Sequence, residues 1–267
     1  MTRAVASRLR NIPGAATLAA GIRWLKASRL RPNALGASQS NESVLIESIA
    51  TGLSVPKSFC EFGFDITEFN CGRLVQHGWR GLLIDGNAQR VRLARRVLAK
   101  DPTIDVTAKC VFLDLSNLYP LVRDFAGTQL GVLSIDVDGN DYWFLDALLP
   151  LTPTLIVVEY NASMGLRPIT VPYDPRFDRT AKHVSGWYHG ASLTALCSLS
   201  ERHGYALIAV SEGGGNAFFC RRDRLGAGIV AQDASALYRE CKLRNEWSGT
   251  VASQQWDAIK HLPYVEV

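Results

Sequence analysis

Short apolar runs, each ending on a polar residue or a glycine, alternate along this chain with stretches of helical spacing. Glu42 to Leu53 has helical spacing, and Ser58 to Gly63 is a short apolar strand that breaks at glycine. Phe69 to His77 reads as a helix, Gly81 to Asp85 as a strand, Ala88 to Lys100 as an Arg-rich helix and Asp105 to Asp114 as one bent strand or two. The helix Leu118 to Phe125, the strand Leu130 to Asp136, the helix Asp141 to Leu148 and the strand Thr154 to Glu159 continue the rhythm. This alternation predicts βαβ units, hence a mainly parallel sheet with helices on both faces. Ala162 to Tyr188 interrupts it with Pro168, Pro172 and Pro175 among aromatic residues and no clear period. Long irregular loops inside compact domains are often functional lids. Beyond it, Ser192 to His203 is helical, and the strands Ala206 to Ser211 and Ala217 to Arg221 are joined by Glu212-Gly213-Gly214-Gly215-Asn216. So short and glycine-rich a connection forces an antiparallel hairpin.

Two of the strands run straight into polar clusters. Leu133-Ser134-Ile135 meets Asp136-Val137-Asp138-Gly139-Asn140-Asp141, and Leu155-Ile156-Val157-Val158 meets Glu159-Tyr160-Asn161. In an open α/β sheet the carboxyl ends of the strands are where ligands bind, so these residues read as the floor of an active site. Gly63, in Glu61-Phe62-Gly63-Phe64-Asp65, sits at the first strand-to-helix turn, where a missing side chain lets backbone approach a ligand. Asp85 ends the next strand and is placed to accept hydrogen bonds from both hydroxyls of a ribose. A dinucleotide would need the G-x-G-x-x-G backbone around its pyrophosphate, whereas this turn offers one glycine, with Glu61 and Asp65 beside it. Carboxylates there repel a diphosphate and suit the ammonium and sulfonium charges of S-adenosylmethionine. Asp114 is either an acceptor for the adenine amino group or an acid at the start of a helix.

The acidic floor offers two routes to deprotonating a hydroxyl. Asp136 and Asp138 alternate along an extended strand and so share a face, which Asn140 continues if the backbone stays extended. One of the two aspartates is then the general base. Alternatively Asp136, Asp138 and Glu159 form an all-oxygen set for Mg2+. Glu159, Tyr160, Asn161 and Asn216 are the expected substrate-binding residues, and His189 is either a second base or a cap for the nearby helix.

Composition removes several classes. At 267 residues with 47% hydrophobic content the chain is globular and large enough for one α/β domain with an appendage. Six scattered cysteines without a C-x-x-C pair predict reduced, mostly buried thiols, as in a cytoplasmic protein, and not a disulfide framework or zinc site. The formal charge of +4 hides an asymmetry: seven of the 29 basic residues and none of the 25 acidic ones lie in the first 41 positions. That arm has no clean apolar core for a secretory signal, since Arg23 interrupts Ala15 to Leu25. It reads either as a flexible basic arm or as a short amphipathic helix, through Ile22, Trp24, Leu25 and Leu30, peripheral at the inner face of the membrane. Nucleic acid is not expected, because the basic residues are not interleaved with stacking aromatics and the body of the chain is acidic.

Over about residues 55 to 222 the sequence resembles the FkbM-like branch of class I S-adenosylmethionine-dependent methyltransferases. The resemblance rests on Glu61-Phe62-Gly63, Gly81-Leu82-Leu83-Ile84-Asp85-Gly86, Ser134 to Trp143, Val158-Glu159-Tyr160-Asn161-Ala162, Gly190-Ala191-Ser192-Leu193 and Asn216-Ala217-Phe218-Phe219. It implies a Rossmann-like fold, α/β, with a mainly parallel seven-stranded sheet and a terminal antiparallel hairpin. It also implies S-adenosyl-L-methionine as methyl donor and an O-methyltransferase acting on a sugar hydroxyl of a glycan, glycolipid or glycosylated metabolite. The expected organisation is a basic arm over 1–41, the methyltransferase domain over 42–230 and a helical tail over 231–267. The rival expectation is a catalytically weak protein of the same fold that docks at a membrane surface.

Overall fold

The computed structural model describes residues 29–32, 35, 38–127, 129–226 and 228–267. The amphipathic-helix reading of the arm therefore lies outside the described residues, apart from Leu30, which packs against the core. Among the described residues no helix is long and apolar enough to cross a membrane.

Seven strands form one sheet: β1 Ser58–Phe62, β2 Arg80–Asp85, β3 Val106–Cys110, β4 Val132–Ile135, β5 Leu155–Glu159, β7 Tyr205–Val210 and β8 Asn216–Arg221. Their order is β3-β2-β1-β4-β5-β8-β7. The first five are parallel, and β8 pairs antiparallel with both β5 and β7. This is the Rossmann-like sheet with a terminal antiparallel hairpin expected from the sequence. A further small sheet joins β6 (Ile169–Thr170) to β9 (Val265–Glu266).

Alternation along the strands sends one set of side chains to each face. Cys60, Phe62, Leu82, Ile84, Leu133, Ile135, Ile156 and Val158 meet helices α4 (Leu118–Ala126), α5 (Asp141–Leu148) and α7 (Leu193–Arg202). Phe59, Leu83, Val132, Leu155 and Val157 meet α1 (Glu42–Gly52), α2 (Gly72–Gln76) and α3 (Ala88–Leu98) on the other face. Strands buried on both faces explain the unbroken apolar runs that end only where the sheet does.

Three elements differ from the sequence reading. Helix α2 starts at Gly72, because Asp65 and Glu61 engage the backbone of the preceding loop: Thr67 N donates to Asp65 Oδ1, and Asn70 N and Cys71 N donate to Glu61. Strand β3 ends at Cys110, opposite the last residue of β2; beyond Val111, which still donates to Asp85 O, there is no strand left to pair with. The tail is helical over α8 (Ala234–Leu237), α9 (Lys242–Ser248) and α10 (Ala252–Ile259), but closes on β9. Helix α6 (Arg179–Lys182) lies inside the irregular 162–188 segment, and α10 packs on that segment through Met164, Ile169, Tyr188 and Ile259.

Candidate active site

Parallel register places the polar strand ends side by side. Phe62 pairs with Ile84 and Ile135, and Ile135 with Val158, so the next residues, Gly63, Asp85, Asp136 and Glu159, form one row at the carboxyl edge. Gly63 has φ +72°, and a Cβ on it would lie 1.5 Å from the carbonyl oxygen of Asp136. Only glycine fits where β1 and β4 approach this closely.

A cavity of about 390 Å3 opens over one half of the row, lined among others by Gly63, Asp85, Asn87, Val111, Phe112, Asp136 and Phe177. Asp85 Oδ1 accepts from Asn87 N at 2.5 Å and Oδ2 faces Arg90 at 3.4 Å. Burial raises its pKa, partly offset by these donors. Phe112 is exposed yet lies along this cavity, a flat apolar surface beside Asp85 of the kind an adenine ring stacks on.

Three expected cofactor residues stand elsewhere or do other work. Asp114 does not line the cavity; its Oδ1 accepts from Ser116 N, Ser116 Oγ and Asn117 N, which holds its pKa low and makes it the acid at the start of α4. Glu61 is buried on the α2 face with its two oxygens 2.8 Å from the N–H groups of Asn70 and Cys71, and burial pushes its pKa up to about 7. Asp65 lines the neighbouring cavity and closes a local turn on Thr67.

That second cavity, about 700 Å3, shares Gly63, Arg90, Asp136 and Asp138 with the first. Its floor is Asp136, Asp138 and Glu159, and its walls include Arg179, Trp187, Arg244 and Trp247. Strand β4 ends at Ile135, and Asp141 then accepts the N–H groups of Val137 and Gly139, folding the chain so that Asp138 takes φ +58°. The backbone is thus not extended past Asp136, although Asp136 and Asp138 line the same space. Asn140 lines the first cavity instead, and its amide is taken up there: Nδ2 donates to Asp174 O at 2.8 Å and Oδ1 accepts from Asp174 N, tying down the 162–188 segment.

Among the described residues the carboxylate of Asp136 accepts no hydrogen bond, while Asp138 pairs with Arg179. Burial raises the pKa of Asp136 well above the carboxylate range, and the neighbouring Glu159, Asp138 and Asp141 add to the rise. Burial likewise raises Glu159 to about 8. His189 is buried and held neutral by burial and by Arg244 and Arg179. Its Nε2 lies 3.7 Å from Glu159 and 3.1 Å from Arg244 Nη2. Arginine only donates, so Nε2 accepts and the proton sits on Nδ1, which is buried without a partner. His189 and Glu159 therefore meet as neutral groups near pH 7, not as an ion pair. Nor does His189 cap α7; that role belongs to Ser192, whose Oγ accepts from Ala195 N.

The remaining expected substrate residues lie outside both cavities. Asn161 donates to the carbonyls of Trp187 and His189 and accepts from Ser163 N and Arg244, which uses up its amide. Tyr160 is buried, its hydroxyl donating to Arg239 O. Asn216 is buried opposite Glu159 at the start of β8 and lines neither cavity.

The expected cation set of Asp136, Asp138 and Glu159 is not the one the fold gathers. Asp138, Glu159 and His189 have ligand atoms within 4.8 Å of one another, without Asp136. Arg179 already pairs with Asp138, and Arg244 donates to His189. A doubly charged ion among two guanidinium groups is electrostatically unfavourable, so these residues do not fit Mg2+.

Arg179, Arg244 and Trp247 were not picked out from the sequence, because they come from segments without a motif, far in the chain from the acids they face. Phe112 carried a readable signal, an aromatic beside the expected end of β3.

No family model matches the sequence, and neither does any curated protein. Solved structures with a similar fold include an O-methyltransferase from Bacillus cereus in complex with SAH, 16% identical, covering 70% of this chain and 81% of that one at a TM-score of 0.46. A methyltransferase from Geobacter sulfurreducens is 17% identical, covering 83% and 96% at a TM-score of 0.46. The cofactor-bound Rv0187 from MTB is 19% identical, covering 77% and 89% at 0.48.

Proposed function

We propose that the protein is an S-adenosylmethionine-dependent O-methyltransferase whose acceptor is a sugar hydroxyl. The observation that carries this is the meeting of two cavities at Gly63, Asp136 and Asp138, one with a ribose-binding acid and an apolar flank, the other with an acidic floor and indole walls. Asp85 is placed for the ribose diol and Phe112 for the adenine, while the lone glycine and the surrounding carboxylates exclude a pyrophosphate. S-adenosylmethionine supplies an electrophilic methyl group. Asp136, without a hydrogen bond of its own, stands at the junction to accept the acceptor's proton as its oxygen forms the new bond to carbon. Asp138, held by Arg179, and Glu159 orient neighbouring hydroxyls, and indoles beside carboxylates suit a ring with one apolar face and polar edges. No step uses a metal ion.

Calorimetry with S-adenosylmethionine, S-adenosylhomocysteine and NAD tests the first half: the folded protein should bind the first two and not the third, and failure to bind either of them overturns the assignment. Mass spectrometry of envelope and secreted glycans from a strain lacking the gene tests the second, the expected result being loss of one methyl group. Asp136→Asn should abolish transfer while cofactor binding persists.

A further inference from the structure

The tail beyond residue 230 contributes nothing to the cofactor cavity but builds a whole wall of its neighbour. Cys241, Leu243, Arg244, Trp247 and Ser248, all on or beside α9, line the larger cavity. The wall is fixed firmly to the site. Lys242 N donates to Gly213 O at the hairpin tip, Tyr238 Oη to Ala162 O, and Arg244 to Asn161 Oδ1 and Ser163 Oγ at 2.6 and 2.9 Å. Helix α10 adds a Gln255 contact to Ser163, and β9 pairs with β6. Trp247 stands apart from this anchoring: it is 79% exposed, the most open of the tail's exposed large apolar side chains, ahead of Val230 and Val251. An indole left that open on a wall otherwise rigidly placed has no structural task to explain it.

We infer that α9 forms a second acceptor subsite, with Trp247 as the platform for a sugar ring next to the one that is methylated. The inference rests on the methyl-transfer reading above. The reacting ring must sit where the cavities join, at Asp136, whereas Trp247 belongs to the larger cavity alone and is open to solvent. A cavity of about 700 Å3 also exceeds what one ring requires. The acceptor is therefore an oligosaccharide or glycoside of two or more rings, its second ring laying its apolar C–H face on the indole.

The test uses the full-length protein loaded with S-adenosylhomocysteine and titrated calorimetrically with maltose, cellobiose, lactose, mannobiose and chitobiose, each beside the methyl glycoside of its non-reducing ring. At least one disaccharide should bind about tenfold more tightly than its single ring, the size of one good aromatic contact. Trp247→Ala should erase that preference, Trp247→Phe should keep most of it, and neither should change the affinity for S-adenosylhomocysteine. A preference that survives Trp247→Ala overturns the subsite, and so does cofactor binding without a disaccharide preference. Loss of cofactor binding itself would instead strike the methyl-transfer reading.

Discussion

Asp136 and Glu159 carry their charge reluctantly, Glu159 with a pKa near 8 and Asp136 raised in the same direction, because burial and mutual repulsion favour the protonated forms. A sulfonium cation at the cavity junction reverses that preference, so binding S-adenosylmethionine should expel protons. Affinity for S-adenosylmethionine is then expected to rise about tenfold relative to S-adenosylhomocysteine, whose sulfur is neutral, between pH 6 and pH 8.5. Parallel calorimetric titrations across that range measure it, and in Asp136→Asn the difference should shrink. Glu61 answers to a different demand. Its removal leaves the N–H groups of Asn70 and Cys71 buried without an acceptor, so Glu61→Ala should lower stability by about 2–4 kcal/mol in urea unfolding. Gly63, Asp85, Asp136 and Glu159 were legible in the sequence because an apolar run stops on each of them. For Asp114 and His189 the sequence leaves two readings open, and for Asn161 it offers only the ligand one, for a common reason. Near a strand end a short polar side chain serves either a ligand or the unpaired backbone around it, and sequence does not say which.

At the level of elements, the helices and strands of the sheet followed from periodicity, and the errors fell where side chains capture the backbone. Asp65 and Glu61 shorten α2, and β3 stops where β2 stops. The 162–188 segment and the tail were opaque for a physical reason: they are placed by polar contacts with distant loops and by a small apolar cluster they share with each other, neither of which leaves a period in either segment alone. Asn140 is the hinge pin of this arrangement, since it holds Asp174, and Phe177 from the same segment reaches into the cofactor cavity. Asn140→Ala should therefore release the segment and weaken S-adenosylhomocysteine binding by about 5- to 20-fold, the loss of one or two buried hydrogen bonds, with faster amide exchange confined to residues near 170–180. Weakened binding with unchanged exchange would point to a direct contact between Asn140 and the cofactor instead.

Across the whole molecule, one edge of the sheet concentrates acids that are buried, as Asp141 and Glu61, or half-buried, as Glu159 and Asp136: Asp141 lies near pKa 6, Glu61 near 7, Glu159 near 8 and Asp136 above its usual range, in each case chiefly through lost hydration. The arginines of the second cavity offset part of this charge, which is also why EDTA is expected to leave cofactor binding and turnover unchanged; loss of either on chelation would restore the metal reading. The acids dictate a direction for stability. A carboxyl whose folded pKa is raised binds its proton more tightly folded than unfolded, so the stability it gives is full below the unfolded value of about 4 and is lost as pH rises through the folded value. Acids nearer the surface, such as the half-buried Asp114 and Asp174 and the exposed Asp178, are shifted the other way by hydrogen bonds, in Asp174 chiefly from Lys182, and favour the folded state only above about pH 4. The ligand-free protein should thus be most stable near pH 5 and lose thermal stability steadily to about pH 8.5. S-adenosylmethionine places a positive charge beside the same acids, so its stabilisation should grow over that interval and flatten the decline. Thermal unfolding at half-unit pH steps, with and without the cofactor, reads both slopes. A ligand-free midpoint that rises from pH 5 to 8 would mean that these carboxyls are not held in their protonated forms.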